Sequence, residues 1–169
     1  KNIYKFIEPH LKKQNIFTFF GLIPNFKPTE ILPILHSLIR PNDFLLLSAN
    51  LAPQGIDIIL PQYDNHPTKE WLIEFLYRFG QPTGKINISA ECSNDLEFIS
   101  AKFIFSSTSI FKVGGNEFLF SPHEEIDLFT SYRYTQKSIK NKLAMHDFNV
   151  LEEFISKNGE EGLFLCRTQ

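Results

Sequence analysis

The sequence is poor in cysteine and contains no long run of apolar residues. Its two cysteines, Cys92 and Cys166, lie far apart in the chain of 169 residues, so we expect neither a disulfide framework nor a cysteine metal site. A single long-range disulfide is left open. No apolar segment approaches the roughly 18 residues that a membrane-spanning helix needs, and no secretory leader is visible. These absences predict a cytoplasmic protein with no membrane partner.

The chain also lacks an excess of either charge. It has 17 Lys and Arg residues against 19 Asp and Glu residues, and the basic residues are scattered, so we expect no nucleic-acid partner. Hydrophobic residues make up 43% of the sequence, enough for the core of one domain or of one domain with an excursion. The 18 phenylalanines could form a stacking surface for an aromatic ligand, but their strand-like alternation favours core filling.

Common catalytic and metal-binding motifs are missing as well. The sequence contains no phosphate-binding G-x-G-x-x-G or G-K-[ST] loop, no G-x-S-x-G nucleophile turn and no H-E-x-x-H helix. Its five histidines share no ligand spacing, so we expect no metal and interpret them as structural or surface residues. Glu124 and Glu125 are candidates for a base, but consecutive residues of a strand point to opposite faces. The catalytic residues therefore stay unknown.

Apolar patterning at the start of the chain predicts an α/β arrangement. Residues 4–13 have the spacing of a helix, and residues 15–23 form a continuous apolar run typical of a strand covered on both faces. A helix is predicted between Lys27 and Arg40, and residues 43–49, DFLLLSA, read as a second buried strand. A strand, a helix and a second strand make a βαβ unit, which implies a mainly parallel sheet.

The rest of the chain changes character twice. A proline-containing loop after Pro53 leads into a predicted helix at 69–78, and short strand-like segments follow up to residue 125, with a Gly-Gly-Asn hairpin turn at 114–116. This pattern predicts an antiparallel β region. The last part returns to α/β patterning, with a helix predicted at 136–146 and strands at 150–157 and 162–167.

Three short polar motifs stand out from this background. They are PNFKP at 24–28, QYDN at 62–65 and TSYRYT at 130–135. Asn25 follows the first predicted strand, at the carboxyl end where ligands of open α/β sheets bind. Asn, Tyr and Ser side chains both donate and accept hydrogen bonds, which suits a small zwitterionic or amide-bearing ligand. Taken singly, Asn25 could equally hold a turn, Tyr63 could be a loop aromatic and Ser131 a helix cap.

The order of these motifs resembles that of the S-adenosylmethionine-dependent methyltransferases related to the histidine Nα-methyltransferase of ergothioneine biosynthesis. In that family a strand ends in Gly-Ser-Thr-x-Gly-Asn-Phe-x-Pro, and residues 21–28 read GLIPNFKP here. A Tyr-Asp-Asp or Tyr-Asn-Asp stretch follows the next strand, as YDN does at 63–65. A Phe-x-x-Gly-Glu-x-Ile segment and Ser-Tyr-Lys-Tyr-Thr come late, matched by FSPHEEI at 120–126 and SYRYT at 131–135. The likeness extends over essentially the whole chain.

The resemblance implies an α/β fold: the C-terminal half of a Rossmann-like methyltransferase sheet, with an inserted α+β substrate region rich in antiparallel strands. The expected boundaries are 1–53 for the first part of the sheet, 54–128 for the inserted region and 129–169 for the return to the sheet. The family's glycine-rich cofactor turn and acidic ribose ligand are expected before Lys1, in a longer protein that binds S-adenosylmethionine. The isolated chain is then expected to be inactive and open to self-association.

Carried over position by position, the resemblance implies three substrate contacts and no cofactor-binding residue in this chain. Asn25 and Tyr63 are expected to face the amino and carboxylate ends of an amino acid substrate, and Ser131 is expected to face its side chain. The implied chemistry is direct displacement at the sulfonium methyl group by an amine, which depends mostly on alignment and desolvation.

Two departures from the family pattern modify this expectation. The family's imidazole-binding glutamate falls on Phe129, which cannot pair with a ring N–H. The Ser-Thr pair and the glycine before the asparagine are replaced by Leu22, Ile23 and Pro24. The predicted substrate is therefore an amino acid or related small amine other than histidine. The alternative is a non-catalytic binding module, or pseudoenzyme, that has kept the methyltransferase fold.

Overall fold

The computed structural model of the protein describes residues 14–93 and 96–168. These residues form two compact units. The first comprises the described residues up to Pro53 and from Tyr132 onward, and the second comprises Gln54–Ser131, so the second is an insertion in the chain of the first. The predicted helix at 4–13 lies outside the described residues. None of the described helices combines the length and hydropathy needed to cross a membrane.

The secondary structure follows the predicted order. The strands are β1 (Ile16–Phe19), β2 (Phe44–Asn50), β3 (Gly84–Ser93), β4 (Leu96–Phe105), β5 (Ser109–Val113), β6 (Asn116–Phe120), β7 (Glu125–Arg133), β8 (Phe148–Ile155) and β9 (Glu161–Thr168). The helices are α1 (Pro28–Leu38), α2 (Ile56–Ile59), α3 (His66–Tyr77) and α4 (Gln136–Ala144). The sequence did not predict α2. It also did not predict that β7 extends to Arg133, into the polar TSYRYT motif.

The first unit contains a four-stranded sheet in the order β1-β2-β9-β8. β1 and β2 are parallel and joined through α1, which confirms the predicted βαβ unit. The prediction of a mainly parallel sheet is wrong for the described strands, because β9 is antiparallel to both β2 and β8. β9 follows β8 after a short reversal of the chain, so it runs back beside β8 and inserts next to β2.

The interpretation of β1 as a strand covered on both faces is also wrong. The side chain of Ile16 is 62% exposed, that of Phe20 is 49% exposed, and Phe17 and Phe19 are half-buried. Among the described strands β1 pairs with β2 alone, so its apolar side chains have fewer neighbours than those of an inner strand. β2 buries Leu45 and Leu47 completely.

A buried carboxylate fixes the start of β2. Asp43 is 0% exposed, and its oxygens accept hydrogen bonds from the Asn15 N–H at 2.8 Å, from Asn15 Nδ2 at 2.8 Å and from Arg40 Nε at 2.9 Å. The Arg40 guanidinium, followed by the Asn15 donors, outweighs desolvation and holds the pKa of Asp43 well below its usual range. Asp43 is therefore an ionised anchor that joins the residue preceding β1 to the turn between α1 and β2.

The second unit packs β strands against α3. β3, β4 and β7 form one sheet, and β5 and β6 form a separate hairpin whose turn residues Gly114 and Gly115 have φ of 59° and 83°. These positive values are those of the hairpin turn that the Gly-Gly-Asn sequence predicted. The Phe105 ring stacks on Phe120 with centroids 4.5 Å apart. Phe103, Phe105 and Phe111 therefore fill the core of this unit, as their alternation predicted, whereas Phe75 and Phe118 are about half exposed.

The two cysteines do not pair. Cys92 is exposed in the second unit, and Cys166 is buried on β9 in the first. Burial raises the pKa of the Cys166 thiol to about 12, so it is a neutral core residue at physiological pH.

Candidate functional site

Asn25 ends a short 3₁₀ turn that follows β1. The turn comprises Ile23–Asn25, with Ile23 and Pro24 buried, and the Asn25 N–H donates to the Leu22 carbonyl at 2.9 Å. The side chain of Asn25 is exposed. The backbone and the two buried residues thus hold the turn, and the carboxamide of Asn25 is exposed to solvent.

A backbone-to-side-chain bond ties this turn to the neighbouring strand. Gly21, two residues after the end of β1, has a φ of 66°, at which a side chain would be strained. Its N–H donates to Ser48 Oγ at 2.8 Å. Ser48 lies near the carboxyl end of β2, so the bond joins the carboxyl ends of the two parallel strands. This is the edge at which open α/β sheets bind ligands.

A cavity of about 320 Å³ opens in the first unit beside the same strand end. Residues of β2, β8 and β9 and of the turn between β8 and β9 line this cavity. They are Ser48, Phe154, Ile155, Ser156, Glu161, Gly162 and Leu163. The Ser48 hydroxyl therefore contributes both to the Gly21 contact and to the wall of this cavity.

The three residues of the Tyr63-Asp64-Asn65 stretch make different contacts. Asn65 caps α3: its Oδ1 accepts from the Thr68 N–H at 3.0 Å, and its Nδ2 donates to the Gln62 carbonyl at 2.7 Å. Asp64 pairs with Lys69 at 2.5 Å. Tyr63 instead packs on Phe129, with ring centroids 5.8 Å apart and planes inclined at 43°. The side chain of Asn65 is therefore used in the helix cap, and Tyr63 is the residue of the three whose ring packs against β7.

We expect Asn65→Ala to lower the free energy of unfolding by about 1 kcal/mol, the usual effect of losing an N-cap. Urea denaturation followed by circular dichroism measures this change. Asn65→Asp keeps the accepting oxygen and serves as the matched control, because it should recover most of the loss. Unchanged stability in Asn65→Ala, together with weaker ligand binding, would instead make Asn65 a binding residue.

Ser131 is the last residue of the second unit and lies on β7. It is 6% exposed and stands two residues after Phe129, the spacing at which side chains of an extended strand share a face. Since Phe129 contacts Tyr63, the structure places Tyr63 and the Ser131 segment of β7 in one region of the second unit. Asn25 belongs to the first unit.

Tyr134 and Thr135, the last two residues of the TSYRYT motif, have structural roles. Thr135 caps α4, with its Oγ1 accepting from the Ser138 N–H at 3.0 Å and its own N–H donating to Ser138 Oγ at 2.9 Å. Tyr134 is 1% exposed, and burial raises its pKa above the ordinary tyrosine value. The Tyr134 N–H donates to the Asn50 carbonyl at 3.1 Å. The motif therefore supplies one candidate contact, Ser131, and an anchor to the end of β2.

The second unit also contains a cavity of about 470 Å³ at the start of α3. Its lining residues are Asp64, Asn65, His66, Lys69, Glu70, Ile73 and Ile86. Tyr63, Phe129 and Ser131 do not contribute to that lining. Within residues 14–93 and 96–168, no three His, Cys, Asp or Glu side chains are grouped so as to hold a metal ion.

Two features of these regions were not predicted from the sequence. The first is the ion pair of Asp43, although Arg40 three residues earlier offers a partner of opposite charge. The second is the contact between Tyr63 and Phe129. These residues are far apart in the chain, so no local sequence pattern predicts their contact. The N-cap role of Asn65 could have been predicted from the sequence, because an asparagine followed by a proline in the first helical turn is a typical helix start.

Comparison with known proteins gives one match that covers the chain. The sequence matches the family described as histidine-specific, S-adenosylmethionine-dependent methyltransferases over residues 3–168. No curated protein matches the sequence.

Three solved structures that match this chain at low identity are described as methyltransferases. An S-adenosylmethionine-dependent methyltransferase from Clostridium acetobutylicum is 11% identical, with a TM-score of 0.43, and the match covers 97% of this chain and 68% of that one. The CcbJ methyltransferase from Streptomyces caelestis is 10% identical, with a TM-score of 0.39, and the match covers 92% of this chain and 60% of that one. The glycopeptide N-methyltransferase MtfA complexed with S-adenosyl-L-methionine is 9% identical, with a TM-score of 0.37, and the match covers 92% of this chain and 57% of that one. The chain thus spans about two thirds or less of their length.

Proposed function

This chain belongs to the family of histidine-specific, S-adenosylmethionine-dependent methyltransferases, and from that membership we propose that it is the C-terminal part of an enzyme that methylates a nitrogen of an amino acid or related small amine. The observation that carries the proposal is the family match over residues 3–168. The cofactor of this family is S-adenosylmethionine.

The proposal interprets the two units as parts of a larger enzyme. The parallel β1–α1–β2 arrangement and the strands beside it are taken as the C-terminal half of a Rossmann-like sheet. The inserted unit, with its antiparallel strands and α3, is taken as the substrate region. An insertion of this kind suits an enzyme in which one part of the chain supports the cofactor and another selects the substrate.

Three side chains are proposed to contact the substrate. Asn25 extends an exposed carboxamide from the carboxyl end of β1, and its oxygen can accept an N–H of the substrate amine and so orient the nitrogen lone pair. The Tyr63 hydroxyl can donate to the substrate carboxylate, and Ser131 is proposed to face the substrate side chain. Holding the amine in line and out of water supplies most of the rate enhancement in such a reaction.

The buried carboxylate at the start of β2 is not free to bind the ribose of the cofactor. Asp43 stands at the opposite end of β2 from Ser48 and is engaged by Arg40 and Asn15. When bound, S-adenosylmethionine supplies a methyl group on a positively charged sulfur, which an amine can attack directly. Following the family resemblance, we propose that residues outside this chain contact the ribose and adenine.

The location of the cofactor contacts makes a prediction about binding. S-adenosylmethionine in large excess is expected to raise the thermal unfolding midpoint of the full-length protein and to leave that of the 169-residue chain unchanged. A ligand at 100 times its Kd stabilises the folded state by about 2.7 kcal/mol, so the shift in the full-length protein is easily measured by calorimetry. Equal shifts in both proteins would place cofactor contacts within this chain.

The test of the function is turnover. The full-length protein is incubated with S-adenosylmethionine and a panel of α-amino acids and simple amines, and the S-adenosylhomocysteine formed is quantified for each. Release that depends on one class of amine supports the proposal. Cofactor binding without release for any amine would favour the alternative, a binding module that has kept the fold.

A further inference from the structure

Ser48 holds the chain at the point where it leaves β1. β1 ends at Phe19, and near its start the carbonyl of Asn15 accepts the Phe44 N–H at 2.8 Å. Because alternate residues of a strand present their backbone groups to the same neighbour, Gly21 belongs with Asn15 to the series that faces β2. The Gly21 N–H donates to Ser48 Oγ at 2.8 Å. A side-chain oxygen of β2 thus extends the connection between the two strands beyond their paired residues.

The turn after β1 has little else to fix it from its own side chains. The Leu22 carbonyl accepts the Asn25 N–H at 2.9 Å, and Ile23 and Pro24 are buried. Apart from Asn25, no side chain among residues 20–26 carries a hydrogen-bonding group. The side-chain oxygen that holds this turn is therefore supplied from β2.

Two successive hydrogen bonds connect Asn25 to β2. The first joins Ser48 Oγ to the Gly21 N–H, and the second joins the carbonyl of the adjoining residue, Leu22, to the Asn25 N–H. Gly21 has a φ of 66°, and glycine adopts positive and negative φ about equally readily. The bond to Ser48 therefore limits the orientations of the turn that carries the Asn25 carboxamide.

We propose that Ser48 is a positioning residue for methyl transfer, because it fixes the turn from which Asn25 contacts the substrate amine. This inference rests on the proposed function and adds to it a residue that acts through Asn25. Misplacing an orienting group by about 1 Å can cost on the order of 100-fold in rate. Ile23 and Pro24 still hold the turn when the hydroxyl is lost, so we expect a smaller decrease in kcat, of about tenfold.

The experiment measures kcat of full-length variants from the rate of S-adenosylhomocysteine release. Ser48→Ala removes the acceptor and should lower kcat by about tenfold with little change in the thermal midpoint, because the lost bond is exposed. Ser48→Thr keeps the hydroxyl, and the cavity beside it has room for the added methyl group, so it should recover most of the wild-type kcat. Thr18→Val removes a hydroxyl from an exposed position on β1 and is the matched control.

A double-mutant comparison distinguishes positioning from a general structural role. In the Asn25→Ala background the group that Ser48 positions is absent, so adding Ser48→Ala should lower kcat by less than about twofold. An equal loss in both backgrounds would overturn the inference, because Ser48 would then act independently of Asn25.

Amide hydrogen exchange tests the contact without relying on turnover. In NMR spectra of the full-length protein, the Gly21 amide proton should exchange at least about threefold faster in Ser48→Ala than in wild type. Ser48→Thr should keep the wild-type exchange rate. If Ser48→Ala does not fold, Ser48→Val takes its place in every comparison, because valine matches the shape of threonine and lacks the oxygen.

The outcomes separate this inference from the proposed function. A folded Ser48→Ala variant with wild-type kcat, or with the wild-type exchange rate at Gly21, overturns the inference and leaves the methyltransferase proposal standing. A Ser48→Thr variant that loses as much activity as Ser48→Ala also overturns it. The absence of transfer to any amine by a folded wild-type protein that binds S-adenosylmethionine overturns both.

Discussion

Asn25→Ala is expected to lower kcat/KM of the full-length protein for its amine substrate by about 100-fold. Losing one positioned hydrogen-bonding group at the reacting centre typically costs a factor of this order. The Asn25 side chain is exposed and makes no hydrogen bond within the described residues, while its N–H bond to Leu22 survives the change. The thermal midpoint should therefore stay the same while turnover falls.

Lys27→Ala is the matched control for this variant. Lys27 belongs to the same connection between β1 and α1, and its ion pair with Glu30 is long, at 3.9 Å, and exposed. Its removal should change neither stability nor turnover by much. If Asn25→Ala kept wild-type kcat/KM, or lost activity only by unfolding, Asn25 would be a turn residue and not a substrate contact.

Asp43→Ala is expected to lower the free energy of unfolding by about 3 kcal/mol, since it removes a carboxylate that accepts several charge-assisted hydrogen bonds and leaves their donors unsatisfied. The side chain of Asp43 is fully buried, whereas that of Arg40 is 37% exposed. The expected loss in the free energy of unfolding therefore lies at the lower end of the range for buried ion pairs. Urea denaturation near pH 7 measures the difference from wild type. Asp127→Ala, at an exposed position on β7, is the control and should have little effect.

The stability that Asp43 contributes also depends on pH. The pKa of its carboxyl is lowered in the folded state, chiefly by the Arg40 guanidinium. A lowered pKa means that the contribution is complete above the ordinary aspartate pKa of about 3.9 and is lost as the pH falls toward the folded value. The difference between wild type and Asp43→Ala should thus narrow below about pH 4. A difference that is constant across this range would argue that Asp43 acts through packing alone.

The fold was predictable wherever local patterns carry the information. The apolar run at 43–49 predicted β2, the Gly-Gly-Asn sequence predicted the β5–β6 turn, and the pattern at 136–146 predicted α4. The prediction from apolar patterning was wrong where burial depends on neighbouring elements that the local sequence does not reveal. A continuous apolar run predicted a covered strand at β1, but burial depends on what lies beside it, and Ile16 and Phe20 are largely exposed.

The candidate site was predictable only in part, for a related reason. The position of Asn25 at the end of a parallel strand follows from the βαβ pattern, and the structure contains that pair of strands. The separate roles of Tyr63, Asp64 and Asn65 depend on partners elsewhere in the chain. Side-chain identity alone cannot tell a cap from a ligand contact, because asparagine suits both.

One measurement tests the central claim most directly. The full-length protein is incubated with S-adenosylmethionine that carries a deuterated methyl group and with each member of a panel of α-amino acids, and the products are analysed by mass spectrometry. The account predicts that the deuterated methyl group appears on the amino acid nitrogen, together with S-adenosylhomocysteine. A folded protein that binds the cofactor and leaves the label on S-adenosylmethionine, whichever amine is offered, would contradict it.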